Sequence, residues 1–477
     1  MPKPRTKTSL TLFISLFVVI SLMLSSLPGI ASQNPQAITA LNDYLPIVLN
    51  RYPRLTPFGV TMFTIDDPGG LAKFTDGGTR WTRSGFYWSK AEPVEGERQW
   101  QWYAGIEQQV LNAASSYITP VMLIDGTPAW ALKADFECGA VAQDKFPALA
   151  NFAFDLVRRY SQPPFNVRYW ELWNEPDAAG TLGCWGDPSD RDYYGGYYYG
   201  LMLQAVYPRI KEADPQAQVL VGGLLLDCNP DPNFPPTPPK DCTPSKFLQG
   251  ILESGAGPSF DGVSFHAYDF NNGTGGYANV NWQSASDTTG PVLITKADFL
   301  KGLLQQYGFS QKYLMSTETA VFWGPNQTDP PCASDAPLDV ELVKVHYVIH
   351  SYAAAIAEGL KTNIWYAALG GRCAALLNLD LSPKPAYHAY QFAQQQLGQA
   401  LFVRQINEFP QLMGYAFQVD AKDLWVLWSL DGLPHTVSLP ALPADVKRVG
   451  DDGFPVQETS AITLTIDSSP RFIGFNK

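Results

Sequence analysis

Short strand-like runs and longer helix-like runs alternate along most of the chain. Residues 58–63, 79–83, 118–123, 167–173, 218–226, 262–268, 312–320 and 362–366 are rich in β-branched and aromatic residues and read as eight strands. Between them, residues 146–160 and 339–360 carry apolar positions at helical spacing. Such alternation is the mark of α/β construction around a parallel sheet. The pattern changes near Leu401. Residues 414–419, 424–428, 436–439, 461–466 and 471–475 are short alternating runs separated by turn residues, which predicts a small C-terminal β-sandwich-like domain over 401–477.

The N-terminus follows neither pattern. Lys3, Arg5 and Lys7 precede an apolar or hydroxylic run over 10–27, followed by Pro28-Gly29-Ile30-Ala31-Ser32. A basic segment, an apolar segment and small residues in that order form a secretory signal peptide, expected to end at Ala31, and residues 32–55 are a lead-in. The alternative is an uncleaved anchor, because eighteen residues is borderline for a bilayer. Losing those three basic residues takes the formal charge from −12 to −15. No Lys/Arg cluster tracks phosphates, so nucleic acid is excluded as a partner, and no later apolar run has spanning length. Oligomeric state is not legible.

Six cysteines suit an exported, oxidised protein. None has zinc-finger spacing, and all fall in loops after strands. Loop adjacency predicts Cys228–Cys242, Cys332–Cys373 and Cys138–Cys184. His346 and His350 have the one metal-like spacing, but no Glu accompanies them in the HExxH order, so they are read as a packed helix face. No metal and no cofactor is expected.

The chemistry is concentrated in Tyr169-Trp170-Glu171-Leu172-Trp173-Asn174-Glu175-Pro176-Asp177. Pro176 removes a backbone donor and ends the strand, leaving Glu175 at its C-terminal tip. The Trp-Asn-Glu-Pro sequence resembles the fourth-strand motif of the retaining glycoside hydrolases of clan A, including β-xylosidase-like and α-L-iduronidase-like families. That resemblance covers roughly residues 56–400 and implies a (β/α)8 TIM barrel, whose strand tips carry the active site. It implies that Glu175 is the acid/base and that Asn174 touches a sugar 2-hydroxyl. Ser316-Thr317-Glu318 at the seventh tip is similar to the clan's nucleophile strand, making Glu318 the second carboxylate. Its Glu-Thr-Ala ending departs from the commoner Glu-aromatic-Gly, so no single family is picked out. Arg83, in Trp81-Thr82-Arg83, stands where the clan has an Arg bracing the nucleophile. His266 and Tyr268 match positions lining the sugar site, and Trp365 would form the subsite floor. Trp130, at the third tip, could stack on a sugar or plug a loop.

Two carboxylates at different strand tips are what retaining glycoside hydrolysis needs: one to protonate the leaving oxygen, one to attack the anomeric carbon. Glu171 lies four residues before Glu175, roughly 13 Å deeper at ~3.3 Å per residue, and reads as a hydrogen-bonded interior group. The expected activity is a secreted hydrolase of neutral plant or microbial saccharides, with an oligo- or polysaccharide as its partner. The competing reading is a non-catalytic carbohydrate-binding or cell-surface interaction protein on the same fold.

Overall fold

The computed structural model describes residues 55–133, 139–178, 183–273, 275–323, 338–370 and 373–476. The expected signal peptide, nearly all of the lead-in, Cys138 and Cys332 lie outside them. Eight strands form a closed parallel barrel: β1 (Phe58–Val60), β2 (Trp81–Tyr87), β3 (Thr119–Asp125), β4 (Tyr169–Asn174), β5 (Gln218–Leu224), β6 (Gly262–Asn271), β7 (Tyr313–Phe322) and β8 (Asn363–Trp365). Each pairs with its sequence neighbours, β8 pairs with β1, and the β5–β6 pairing completes the ring. The predicted TIM barrel is therefore present.

Helices cover the outside because each presents an apolar stripe. Phe146–Tyr160 has Pro147 in its first turn, where a missing N–H costs nothing, and buries Phe146, Leu149, Ala150, Ala153, Leu156, Val157 and Tyr160 at three- and four-residue steps. Inside the barrel, Trp81, Val121, Tyr169, Leu220, Met315 and Ile364 make an apolar floor. Strand alternation sends the next inward residues up towards the C-terminal tips.

From Leu401 the strands are antiparallel: β9 (Leu401–Gln405), β10 (Leu412–Val419), β11 (Lys422–Ser429), β12 (His435–Ser438), β13 (Asp445–Val449), β14 (Pro455–Gln457), β15 (Thr463–Ile466) and β16 (Arg471–Asn476). Six form one sheet in the order β9-β10-β11-β16-β13-β14, and β12 pairs with β15. The central strands of the larger sheet, β10, β11 and β16, have both faces packed, while its edge strands β9 and β14 are exposed. Met413, Tyr415, Phe417, Val426, Trp428 and Phe472 join the barrel's core, while Leu412, Ala416, Trp425, Leu427 and Ile473 pack with Val437, Leu464 and Ile466 of the smaller sheet. One face locks the module to the barrel and the other closes a β-sandwich.

The Cys228–Cys242 disulfide is present and closes the proline-rich insert after β5. Cys184 and Cys373 are each disulfide-bonded, and their predicted partners are outside the described residues.

His346 and His350, on the helix Leu338–Ala357, are buried where barrel and β module meet. The His350 ring stacks on Trp428 at 4.1 Å, and its Nδ1 is 2.9 Å from the Tyr277 hydroxyl. Both side chains line a cavity of about 120 Å³ with Ser429, Asp431 and Asp287. Burial holds the His346 pKa down to about 4, against the pull of Asp451 and Asp467, and holds His350 well below the usual range. Such a histidine takes up a proton when unfolded but not when folded, so its contribution to stability is lost as pH falls below about 6.5. His350→Phe keeps a flat ring on Trp428 and removes the titration. In urea unfolding at pH 7 and pH 5, the wild type should lose about 2 kcal/mol relative to His350→Phe between the two. An equal loss in both would contradict a neutral, buried His350.

Candidate active site

The apolar floor of the barrel is overlain by a charged layer, and the floor is what makes that layer costly to leave unpaired. Arg83 on β2 is two residues above Trp81 and therefore also points inward. Its Nε donates to Glu171 Oε2 at 2.6 Å, its Nη1 to Glu318 Oε1 at 2.5 Å, and its Nη2 to Asn174 Oδ1 at 2.9 Å. Burial alone would lower the Arg83 pKa, but Glu171 and Glu318 carry it above its ordinary value, so the guanidinium stays charged. Glu171 is wholly buried and also accepts from Ser264 and Thr317, as expected of an interior group.

Glu175 sits above that layer through an irregular strand end. Trp173 and Glu175 have φ of +68° and +43°, in the left-handed region that costs a residue with a β-carbon on the order of 1 kcal/mol or more. Neighbouring β5 makes room. A Cβ on Gly222 would lie 2.2 Å from the Leu172 carbonyl oxygen, and one on Gly223 would lie 2.3 Å from His266 Nε2. The Glu175 N–H donates to the Gly223 carbonyl, and Asp177 accepts from the N–H groups of Leu225 and Leu226. Lys296, buried on the helix Val292–Gln306, donates to the carbonyls of Leu225 and His266. Together these bonds fix the tips of β4, β5 and β6.

The Glu175 carboxyl meets His266 Nδ1 at 2.7 Å. Burial is the main cause that pushes its pKa up to about 7, with Asp227 and Glu171 adding to the rise and Arg83 and Lys296 opposing it. Glu318 on β7 accepts from Arg83 and from the Tyr268 hydroxyl. His266 Nδ1 is 3.5 Å from Glu318, and burial lowers the His266 pKa to about 4, so the ring is neutral between two carboxylates. One atom from each of Glu175, His266 and Glu318 lies within 4.8 Å of the others. These three residue types could also hold a cation, but the Arg83 guanidinium and the Tyr268 hydroxyl already occupy Glu318, which suits a carboxylate kept for another purpose.

Six of the expected site residues therefore converge: Arg83, Asn174, Glu175, His266, Tyr268 and Glu318. Trp365 does not. Ile364 belongs to the inward floor, so alternation turns Trp365 outward, where it is fully buried, donates to the Ala374 carbonyl and packs on Tyr347. Tyr366, one residue on, is partly exposed and edge-on to Tyr268 at 6.2 Å. Trp130, half-buried in the loop after β3, packs against Trp88 and donates to the Glu92 carbonyl. Lys296 and Asp177 were missed. Lys296 had a legible signal, a lysine inside the apolar stripe Val292, Leu293, Ala297, Leu300.

No protein-family model matches the chain, and no curated protein matches it in sequence. Solved structures do match. A family 39 glycoside hydrolase from the gut symbiont Bacteroides cellulosilyticus WH2 superposes with a TM-score of 0.64 at 18% identity, over 88% of this chain and 81% of that one. A GH30 endoxylanase from Clostridium papyrosolvens C71 gives 0.58 at 12% identity, covering 89% and 97%. An alpha-L-arabinofuranosidase from Thermotoga maritima gives 0.54 at 14% identity, covering 89% and 93%. At such identities the likeness is one of fold, shared with these glycoside hydrolases.

Proposed function

We propose that the protein is a retaining glycoside hydrolase in which Glu175 is the general acid/base and Glu318 the nucleophile. The observation that carries this is the pair itself, with carboxylate oxygens within 4.8 Å in unlike surroundings. A separation of about 5–5.5 Å is that of retaining enzymes, and an inverting pair stands ~6.5–9.5 Å apart to admit a water. Glu175, with its raised pKa, can hold a proton for the leaving oxygen. Glu318 is held by Arg83 and Tyr268 and aimed for attack. In the first step a Glu318 oxygen bonds to the anomeric carbon as the glycosidic C–O bond breaks and Glu175 gives its proton to the departing oxygen. In the second, Glu175 takes a proton from water, which displaces Glu318. Asn174 has its carbonyl oxygen engaged by Arg83, leaving its NH₂ to donate to a sugar 2-hydroxyl.

The substrates proposed are neutral β-glycosides of xylo or gluco configuration, because the chain is acidic overall and would repel polyanionic glycans. Export is proposed from the N-terminal sequence and from the disulfide.

Glu318→Ala should abolish turnover of every substrate, because no covalent intermediate forms. Glu175→Ala should cost about 10²–10⁴ in kcat on glycosides with poor leaving groups and much less on activated aryl glycosides. With azide it should yield a β-glycosyl azide. A first-formed product of inverted configuration, read by NMR on the wild type, would defeat the mechanism.

The pH profile supplies a second check. The donor must be protonated in the free enzyme, so kcat/KM should fall as pH rises through about 7. Lys296→Met removes a charge that opposes protonation and should move that limb upward. A limb near the ordinary carboxylate range would contradict the buried environment of Glu175.

A further inference from the structure

Phe63 lies just past the tip of β1 and is 57% exposed. A single exposed phenylalanine is ordinary on a protein surface, but this one is rigidly placed and aligned with the catalytic carboxylate. Met62 before it and Ile65 after it are buried in the core, so the backbone is anchored on both sides. The β1 tip is bonded to the β8 tip, through Thr61 N–H to the Trp365 carbonyl and Ala368 N–H to the Thr61 carbonyl. The Phe63 ring stands edge-on to Tyr366 at 5.7 Å, Tyr366 stands edge-on to Tyr268 at 6.2 Å, and Tyr268 donates to Glu318. An unbroken set of aromatic contacts thus runs from Glu318 to an exposed ring.

The direction of that run has a chemical meaning, granted the roles given above to Glu175 and Glu318. The leaving group must sit where Glu175, on β4, can protonate it. The sugar that becomes bonded to Glu318 then extends away from Glu175, towards β8 and β1, which lie across the barrel from β4. We propose that Phe63, braced by Tyr366, is the stacking platform for a second sugar on the glycone side of the cleaved bond, so that the preferred substrates carry at least two sugars there. A pyranose face of C–H groups suits a flat apolar ring, and more than half of the Phe63 surface is open to it.

The test compares wild type, Phe63→Ala and Phe63→Trp on paired probes: 4-nitrophenyl β-xyloside with β-xylobioside, and 4-nitrophenyl β-glucoside with β-cellobioside. Phe63→Ala should lower kcat/KM on the disaccharide glycoside about 5- to 10-fold, chiefly through KM, while the monosaccharide glycoside changes less than about twofold. Phe63→Trp should retain the preference. The monosaccharide rate also reports that the variant is folded. Equal loss on both members of a pair, or no loss on either, overturns the platform while leaving the catalytic pair standing. Hydrolysis of neither pair by the wild type, with no retaining activity on other aryl glycosides, overturns the catalytic reading and this inference with it.

Discussion

Arg83 is the interaction on which the barrel mouth depends. One guanidinium, inside a barrel with an apolar floor, bonds simultaneously to Glu171 below, Glu318 above and Asn174 beside it. Two carboxylates in that space without a cation would repel each other and lose hydration with no return, a burial that typically costs several kcal/mol per ion. The fork geometry of arginine matters as well as its charge, since a lysine could not present three separate donors to three acceptors in fixed directions. Arg83 thereby orients Glu318, sets which end of the Asn174 amide faces outward, and explains why an acidic side chain as deep as Glu171 is tolerated.

The Glu175 and Glu318 carboxyl groups differ because their supports differ. Glu318 lies on β7 just past a register shift against β6, paired with His266, and its two oxygens meet Arg83 and Tyr268. Glu175 lies on a left-handed strand end, meets a neutral histidine and is mainly desolvated, which favours the protonated form. Unlike local dielectric and hydrogen bonding thus distinguish the two glutamates. Asp177, Lys296, Gly222 and Gly223 serve that arrangement without touching the reacting centre: the first two tie strand tips together, and the glycines give space for the bent β4 and the His266 ring.

Much of this was legible in the sequence. The α/β alternation, the change of pattern near Leu401 and the strand-ending Trp-Asn-Glu-Pro are local signals, because periodicity and proline chemistry act over a few residues. The Cys228–Cys242 bond was readable for a similar reason, as it closes one short loop. Trp365 shows where motif matching failed. Its place at a strand tip was clear, but which face it presents depends on registering a three-residue strand against the barrel floor, and a shift of one residue reverses the answer.

The sequence by itself determined the kind of molecule: alternating strands and helices, a β module after them, and a carboxylate at the end of the fourth strand with another on the seventh, which the structure carries four residues past Glu318. Only the tertiary structure decided what those carboxylates can do. Their approach, the guanidinium shared by Glu171 and Glu318, and the burial that raises the Glu175 pKa all join residues remote in the chain. The ring of strands brings Arg83 to Glu318 across 235 positions, and desolvation is a property of everything packed around a group rather than of its neighbours in sequence.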